Sequence, residues 1–200
     1  MKYRINMSGP GVGFEYPRQA VSWLKRDALL FANSIGCKSD ELHFLYELHP
    51  EFAVFPSYVT ILRKSGNCVA EQPANELAFK LTTTDVIDFY SAQKNTPIPG
   101  VPKFDAKRVV DGERNITFFK PLPTSTQGKN IEIRTKVVGV YDKGKASVVE
   151  TETAVVDKDT EEVYSKALGS AFYVGQGGWG GPKGIVAFVL YQESPANVLV

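Results

Sequence analysis

The chain has 200 residues, 43% of them hydrophobic and 12% aromatic, enough for one domain with a sizeable core and tails. With 23 basic against 22 acidic residues and no run of like charge, nothing in the sequence supports an electrostatic role on nucleic acid or a membrane surface. Two cysteines, Cys37 and Cys68, make no disulfide framework and fit a reducing intracellular setting, and no apolar run reaches the roughly 18 residues of a membrane-spanning helix.

Residues 1–13 read as a flexible lead ending in Ser8-Gly9-Pro10-Gly11-Val12-Gly13. No strand precedes these glycines and no Lys-Ser/Thr follows them, so they are not a phosphate loop. Pro17 suits the first turn of a helix. Val21, Leu24, Ala28, Phe31, Ala32 and Ile35 recur at three- and four-residue spacing, which predicts a helix over about 17–35 packed on a sheet through Leu24, Phe31 and Ile35. Leu29 and Leu30 widen its apolar arc, and Gly36 can end it in the left-handed conformation. Leu42, Phe44, Tyr46 and Leu48 alternate as in a strand, and Glu51 to Leu62 reads as extended with a break at Pro56-Ser57. His43 and His49 are the only histidines. No carboxylate stands at a spacing that would orient either ring, so His43 reads as a solvent-side strand residue and His49 as a turn residue rather than a general base.

Residues 66–112 carry little pattern. Thr84 or Asp85 can cap a short helix through Ile87, Phe89 and Tyr90, and Pro97, Pro99, Gly100 and Pro102 make an extended connection. Val109 to Phe119 returns to strand, broken at Asp111-Gly112, and stops at the Pro121-Leu122-Pro123 corner because proline donates no ladder hydrogen bond. Ile131, Ile133, Thr135 and Val137 then alternate with Glu132, Arg134 and Lys136, a strand with one wet face. The phase changes at Val138-Gly139-Val140, the mark of a bulge. Asp142-Lys143-Gly144 is a hairpin turn, a second strand runs from about Lys145 to Val156, and Asp157-Lys158-Asp159-Thr160 reverses it. The last strand, Glu162 to Val174, carries Ser165, Ala167, Gly169 and Ala171 on one face, so something must approach that face closely. The segments form an antiparallel meander. Gly175 to Gly184 holds six glycines, which serve either a strand exit leading into a linker or a backbone brought close to pyrophosphate; no helix start with Lys-Ser/Thr follows, which favours the linker. Ile185 to Tyr191 is apolar and strand-like.

Several of these strings resemble the N-terminal half of the MaoC-like enoyl-coenzyme A hydratases, including the hydratase 2 unit of the peroxisomal multifunctional β-oxidation enzyme. They are Gly112 to Ser125 with its Lys-Pro-Leu-Pro corner, Val138 to Gly144, Val148 to Glu152 and Phe172 to Gly181 with Gly-Gln-Gly-Gly-Trp-Gly-Gly. Lys25-Arg26-Asp27, Ser34-Ile35-Gly36 and Phe52 to Ser57 are similar too. The resemblance implies an α+β hot-dog fold, an antiparallel sheet wrapped around a helix, forming half of a double hot-dog. Residues 14–176 would be the hot-dog domain and 177–200 a glycine-rich linker and extension towards a second hot-dog. The family adds water to trans-2-enoyl-coenzyme A to give the (3R)-hydroxyacyl product, using an Asp-x-Asn-Pro-x-His motif carried by the C-terminal hot-dog. This chain departs from the pattern: it has no Asn-Pro and no histidine after His49.

The resemblance therefore implies a substrate-tail half with no catalytic residue of its own, needing a motif-bearing hot-dog in cis or in trans. It implies no metal or separate cofactor, since the coenzyme A thioester is the substrate, and a homo-oligomer is compatible with it. The expected substrate-binding residues are Ser165, Ala167, Gly169 and Ala171 on the tail face, with Gly178 and Trp179 in the glycine segment and Lys183 as a contact for a coenzyme A phosphate. A non-catalytic acyl-coenzyme A or lipid-binding module, and a purely structural association domain, are the alternatives. A peroxisomal setting follows from the resemblance alone, because Val198-Leu199-Val200 is not a Ser-Lys-Leu address.

Overall fold

The computed structural model of the chain describes residues 9–62 and 96–184. In chain order its elements are β1 (Gln19–Ala20), α1 (Lys25–Ser34), α2 (Leu42–Leu45), α3 (Val59–Leu62), β2 (Val109–Phe118), β3 (Ile131–Asp142), β4 (Ala146–Asp157) and β5 (Glu162–Val174). The sheet order is β1-β3-β4-β5-β2, and every neighbouring pair is antiparallel. β3, β4 and β5 are the predicted meander, joined by turns too short for parallel crossovers; β2 departs from it, pairing with β5 at the far edge and not with β3, the next strand in sequence. The phase change in β3 is a register shift between Val137 and Gly139. A Cβ on Gly139 would lie 2.5 Å from the Tyr141 hydroxyl, which donates to Glu150 Oε2 at 3.1 Å. The break in β2 is likewise a bulge, between Asp111 and Glu113.

The amino-terminal third departs further from expectation. Residues 13–21 run along the outer edge of β3: Gly13 donates to the Val137 carbonyl at 2.8 Å, Tyr16 to Thr135 at 2.8 Å and Val21 to Ile131 at 3.0 Å. The described part of the expected lead, residues 9–13, is thus a turn tied to the sheet, and Pro17 lies in an edge segment instead of a helix. Helix α1 begins only at Lys25, where Asp27 Oδ2 accepts the Leu24 N–H at 2.8 Å and caps it. It ends as predicted at Gly36, with φ +87°. Its buried residues are Ala28 and Ala32, with half-buried Phe31 edge-on to Tyr58 at 5.3 Å between ring centres. Leu24 is only half-buried, and Ile35 and Leu30 are 44% and 65% exposed, so the contact face is narrower than the apolar arc.

The expected strand at 42–48 is the single helical turn α2 followed by a bend, and the extended run at 51–62 closes in a 3-10 turn, Pro56–Tyr58, continued by α3. A strand there would need a pairing edge, and that of β3 is already occupied by residues 13–21. Pro56 starts its turn where no N–H is required. His43 is accordingly a half-buried helical residue, while His49 does lie in the bend before Pro50. The helix expected near Thr84, Cys68 and the strand expected at 185–191 lie outside the described residues.

Two apolar clusters fill the inner face of the sheet. One joins Trp23, Ala28, Tyr58 and Leu62 to Ile131, Ile133 and Val155. Trp23 also pins the Pro-Leu-Pro corner: its Nε1 donates to the Pro123 carbonyl at 2.9 Å, and its backbone N–H to Thr126 Oγ1 at 3.0 Å. The other gathers Phe104, Val137, Val140 and Val149 under Trp179 and Tyr173. Phe31→Ala is expected to lower unfolding stability by about 2–3 kcal/mol, below the usual cost of a fully buried Phe because Phe31 is half-exposed. Leu30→Ala should stay within about 0.5 kcal/mol. Denaturant melts of the two variants check the packing face, and equal losses would refute it.

Candidate functional site

Between the two clusters the inner face is left thinly covered, and β5 supplies the reason. The ladder sets Ser165 between Val155 and Phe118, Ala167 between Thr153 and Ile116, and Gly169 between Thr151 and Arg114. With α3 closing over one side, Ser165, Ala167 and Gly169 line a small cleft of about 50 Å³ with Val59, Thr60, Arg114, Ile116, Thr153 and Val155. A Cβ on Gly169 would meet Arg114 Nε at 3.9 Å, ordinary van der Waals contact, so the Arg114 side chain passes directly over this position. Ala171, the fourth expected residue, does not line the cleft; it pairs with Val149 at the margin of the second cluster.

The polar groups of the cleft are few. Thr60 Oγ1 donates to the Ser57 carbonyl at 2.8 Å, Thr153 shares a hydrogen bond with Thr135 at 3.2 Å, and Arg114 Nη2 reaches Asp111 at 3.0 Å. No histidine or carboxylate is among the described residues that line it. The histidines lie together elsewhere: their rings are 6.4 Å apart, His43 packs on Phe44, and His49 Nδ1 accepts the Glu51 N–H at 3.1 Å. A larger polar depression of about 350 Å³ beside β1 includes Arg18, Lys129 and Glu132. Its charges serve the sheet, with Arg18 on Glu132 at 3.2 Å and Lys129 on Asp157 at 3.7 Å.

The glycine segment after β5 folds back on the β3–β4 turn. Asp142 Oδ1 accepts the N–H groups of Gly144 and Gly178 at 2.8 Å each, and Oδ2 accepts that of Gly180 at 2.8 Å. Gly178 and Gly180 reach it with φ of +80° and +81°, a backbone only glycine adopts without strain. Ser147, fully buried, donates to the Gln176 carbonyl at 2.5 Å and accepts Trp179 Nε1 at 2.9 Å. The Gly178 amide and the Trp179 indole N–H are therefore committed within the fold, and the carboxylate behind those amides stands where a pyrophosphate would have to. Lys183 is exposed, and its carbonyl accepts Lys143 Nζ at 2.5 Å. The structure thus brings three of the expected residues, Ser165, Ala167 and Gly169, into one cleft and places Gly178, Trp179 and Lys183 in a separate clasp. Sequence reasoning passed over Arg114, Thr60, Thr153 and Asp142. Only Asp142 carried a local signal, as the first residue of an Asp-Lys-Gly turn.

The N–H groups of Gly178, then Gly144, Gly180 and Trp179, hold the Asp142 carboxyl below the ordinary aspartate range. A depressed folded value means that the clasp's stabilisation is complete above the unfolded aspartate value of about 3.9 and fades as pH falls through the lower folded value. Asp142→Asn is expected to lower the melting temperature at neutral pH and to flatten its decline below about pH 4. Thermal melts across pH for the two proteins test this, and parallel curves would count against the clasp.

The comparisons with known proteins agree with this geometry. The family model for the MFE-2 hydratase 2 N-terminal domain matches residues 22–80 and 72–175. The chain is 46% identical over 176 residues to the probable dehydratase NIT22 of Ajellomyces capsulatus, covering 86% of this chain and 42% of that protein. It is 23% identical over 171 residues to the peroxisomal enoyl-CoA hydratase 2 of Arabidopsis thaliana, covering 82% of this chain and 46% of that one. Among solved structures, a MaoC-like dehydratase from Phytophthora capsici superposes with a TM-score of 0.63 at 24% identity, over 91% of this chain and 54% of that chain. The chain spans about half the length of the curated relatives it matches. Its fold is the hot-dog, and with the family model covering most of its length, the chain belongs to the MFE-2 hydratase 2 N-terminal domain family, a unit of the MaoC-like hydratases.

Proposed function

We propose that this chain is the substrate-tail half of an (R)-specific hydratase that adds water to trans-2-enoyl-coenzyme A in fatty-acid β-oxidation. Its observation is the cleft on β5: side chains cut back to Ser, Ala and Gly open a sheltered slot, and none of the described residues lining it is a carboxylic acid or imidazole. Hydration needs one group to take a proton from water and another to deliver one to the α-carbon. A slot without such groups holds a tail and leaves the chemistry to a partner, a second hot-dog carrying the Asp-x-Asn-Pro-x-His motif. The coenzyme A thioester is the substrate and no further cofactor takes part. Association is supported by β2, the edge strand of the described sheet, which exposes Val109, Val110 and Phe118, with Phe119 just beyond it. The likeness to a peroxisomal relative supports placing this reaction in the peroxisome.

The test is hydration of crotonyl- and decenoyl-coenzyme A, followed by loss of the enoyl absorbance. The chain alone should run at least about a hundredfold slower than the chain mixed with a motif-bearing hot-dog, the low end of what positioned acid–base groups contribute. His43→Ala and His49→Ala should leave the paired rate within about twofold, given their place outside the cleft. Fast turnover by the unaided chain, abolished by either substitution, would overturn the reading. Acyl-coenzyme A binding that no partner converts to turnover would instead select a non-catalytic binding module. Ala167→Leu, which fills the slot, should weaken acyl-coenzyme A binding about tenfold if the tail lies there, in line with the cost of overpacking a tight site.

A further inference from the structure

One of the two most sheltered residues lining the cleft carries a hydroxyl. Ser165 is 3% exposed and, alone among the three hydroxyl residues lining the cleft, has no hydrogen-bond partner among the described residues. No side-chain nitrogen or oxygen among the described residues is both sealed from solvent and unpartnered, so the remaining access to Ser165 Oγ is through the cleft it lines. Its walls there are Val155, 3% exposed, and half-buried Val59 and Ala167. At the other end of the slot, Gly169 lies four residues along β5, about 13 Å away at the rise of a strand. Arg114, whose side chain is 41% exposed, covers that end. The slot therefore runs from an end at Arg114, which is ion-paired with Asp111, to a closed end where one hydroxyl has no partner among the described residues.

Burying that hydroxyl under a methyl terminus would strip its water and return nothing, whereas an oxygen at the same place would restore its hydrogen bond. Sites that bury a hydrogen-bonding group reject ligands lacking the matching one. We infer that the tail this cleft takes is oxygenated: an acyl thioester whose far end carries a hydroxyl or keto group that pairs with Ser165. This rests on the tail-binding reading and narrows its substrate class. Ser165 is then a specificity-determining residue, with no part in proton transfer.

The experiment is titration calorimetry of the full chain with octanoyl-, decanoyl- and dodecanoyl-coenzyme A and their ω-hydroxy counterparts. At the chain length that reaches the closed end, the ω-hydroxy ligand should bind about fivefold tighter than its plain partner, as one neutral hydrogen bond allows. Ser165→Ala should erase that preference, and Ser165→Cys, a close match in shape and a poor hydrogen-bonder, should do the same if the alanine variant folds badly. Equal affinities for both series in the unaltered chain would overturn the inference and leave the tail-binding reading standing. A preference that survives both substitutions would overturn the role of Ser165, and failure of every ligand to bind would overturn both readings together.

Discussion

The register of β4 against β5 is the constraint on which the rest depends. Ten consecutive cross-strand partners, from Ala146 opposite Val174 to Val155 opposite Ser165, fix which side chains of β5 share a face, before the register shifts between Val155 and Val156. Side chains alternate with a period of two, so a slip of one residue would exchange Ser165, Ala167 and Gly169 for Lys166, Leu168 and Ser170 on the inner face. The cleft would close and a lysine would face the core. The register is held from both ends: Val155 locks into the cluster under α1, and Val149 lies under Trp179 and Phe104. A surface of small side chains can thus be kept open because the large ones are concentrated on either side of it.

The outer face and the edges are held by charge. Glu132 is buried, and it is compensated by Arg18 at 3.2 Å and Arg134 at 2.7 Å, while Arg134 also forks onto Glu161 at 2.5 and 2.8 Å. These carboxylates keep the Arg134 guanidinium firmly protonated. Glu152 stands between Lys136 and Lys166 from the two neighbouring strands, at 3.4 and 3.7 Å. Such cross-strand pairs contribute modestly one by one. Where the chain leaves the sheet, Asp142 gathers amides from residues up to 38 positions away, and together with Ser147 it sets the course of the exit.

Much of this was legible in the sequence, and the division has a physical cause. The three long strands, their two turns, the bulges at Gly112 and Gly139, the end of α1 at Gly36 and the small-residue face of β5 all follow from local pattern: alternation, turn chemistry and glycine. Each is decided by neighbours within a few residues, and the antiparallel order follows because short turns allow nothing else. The family strings around Lys120-Pro121 and Gly177-Gly178 belong to the same legible part.

What only the tertiary structure decided lies where a segment's state depends on whether a distant strand has an edge to offer. Residues 17–22 have helical spacing yet pair with β3, and residues 42–48 alternate like a strand yet curl into one turn, because residues 13–21 already occupy that edge. The cleft is likewise non-local: α3, β2, β4 and β5 each contribute, and Arg114 meets Gly169 only through the ladder. Asp142 read as a turn residue and became the anchor of a loop far along the chain. Sequence spacing carries the preferences of each segment, while hydrogen-bond partners are competed for across the whole fold, and that competition is settled only when the sheet has formed.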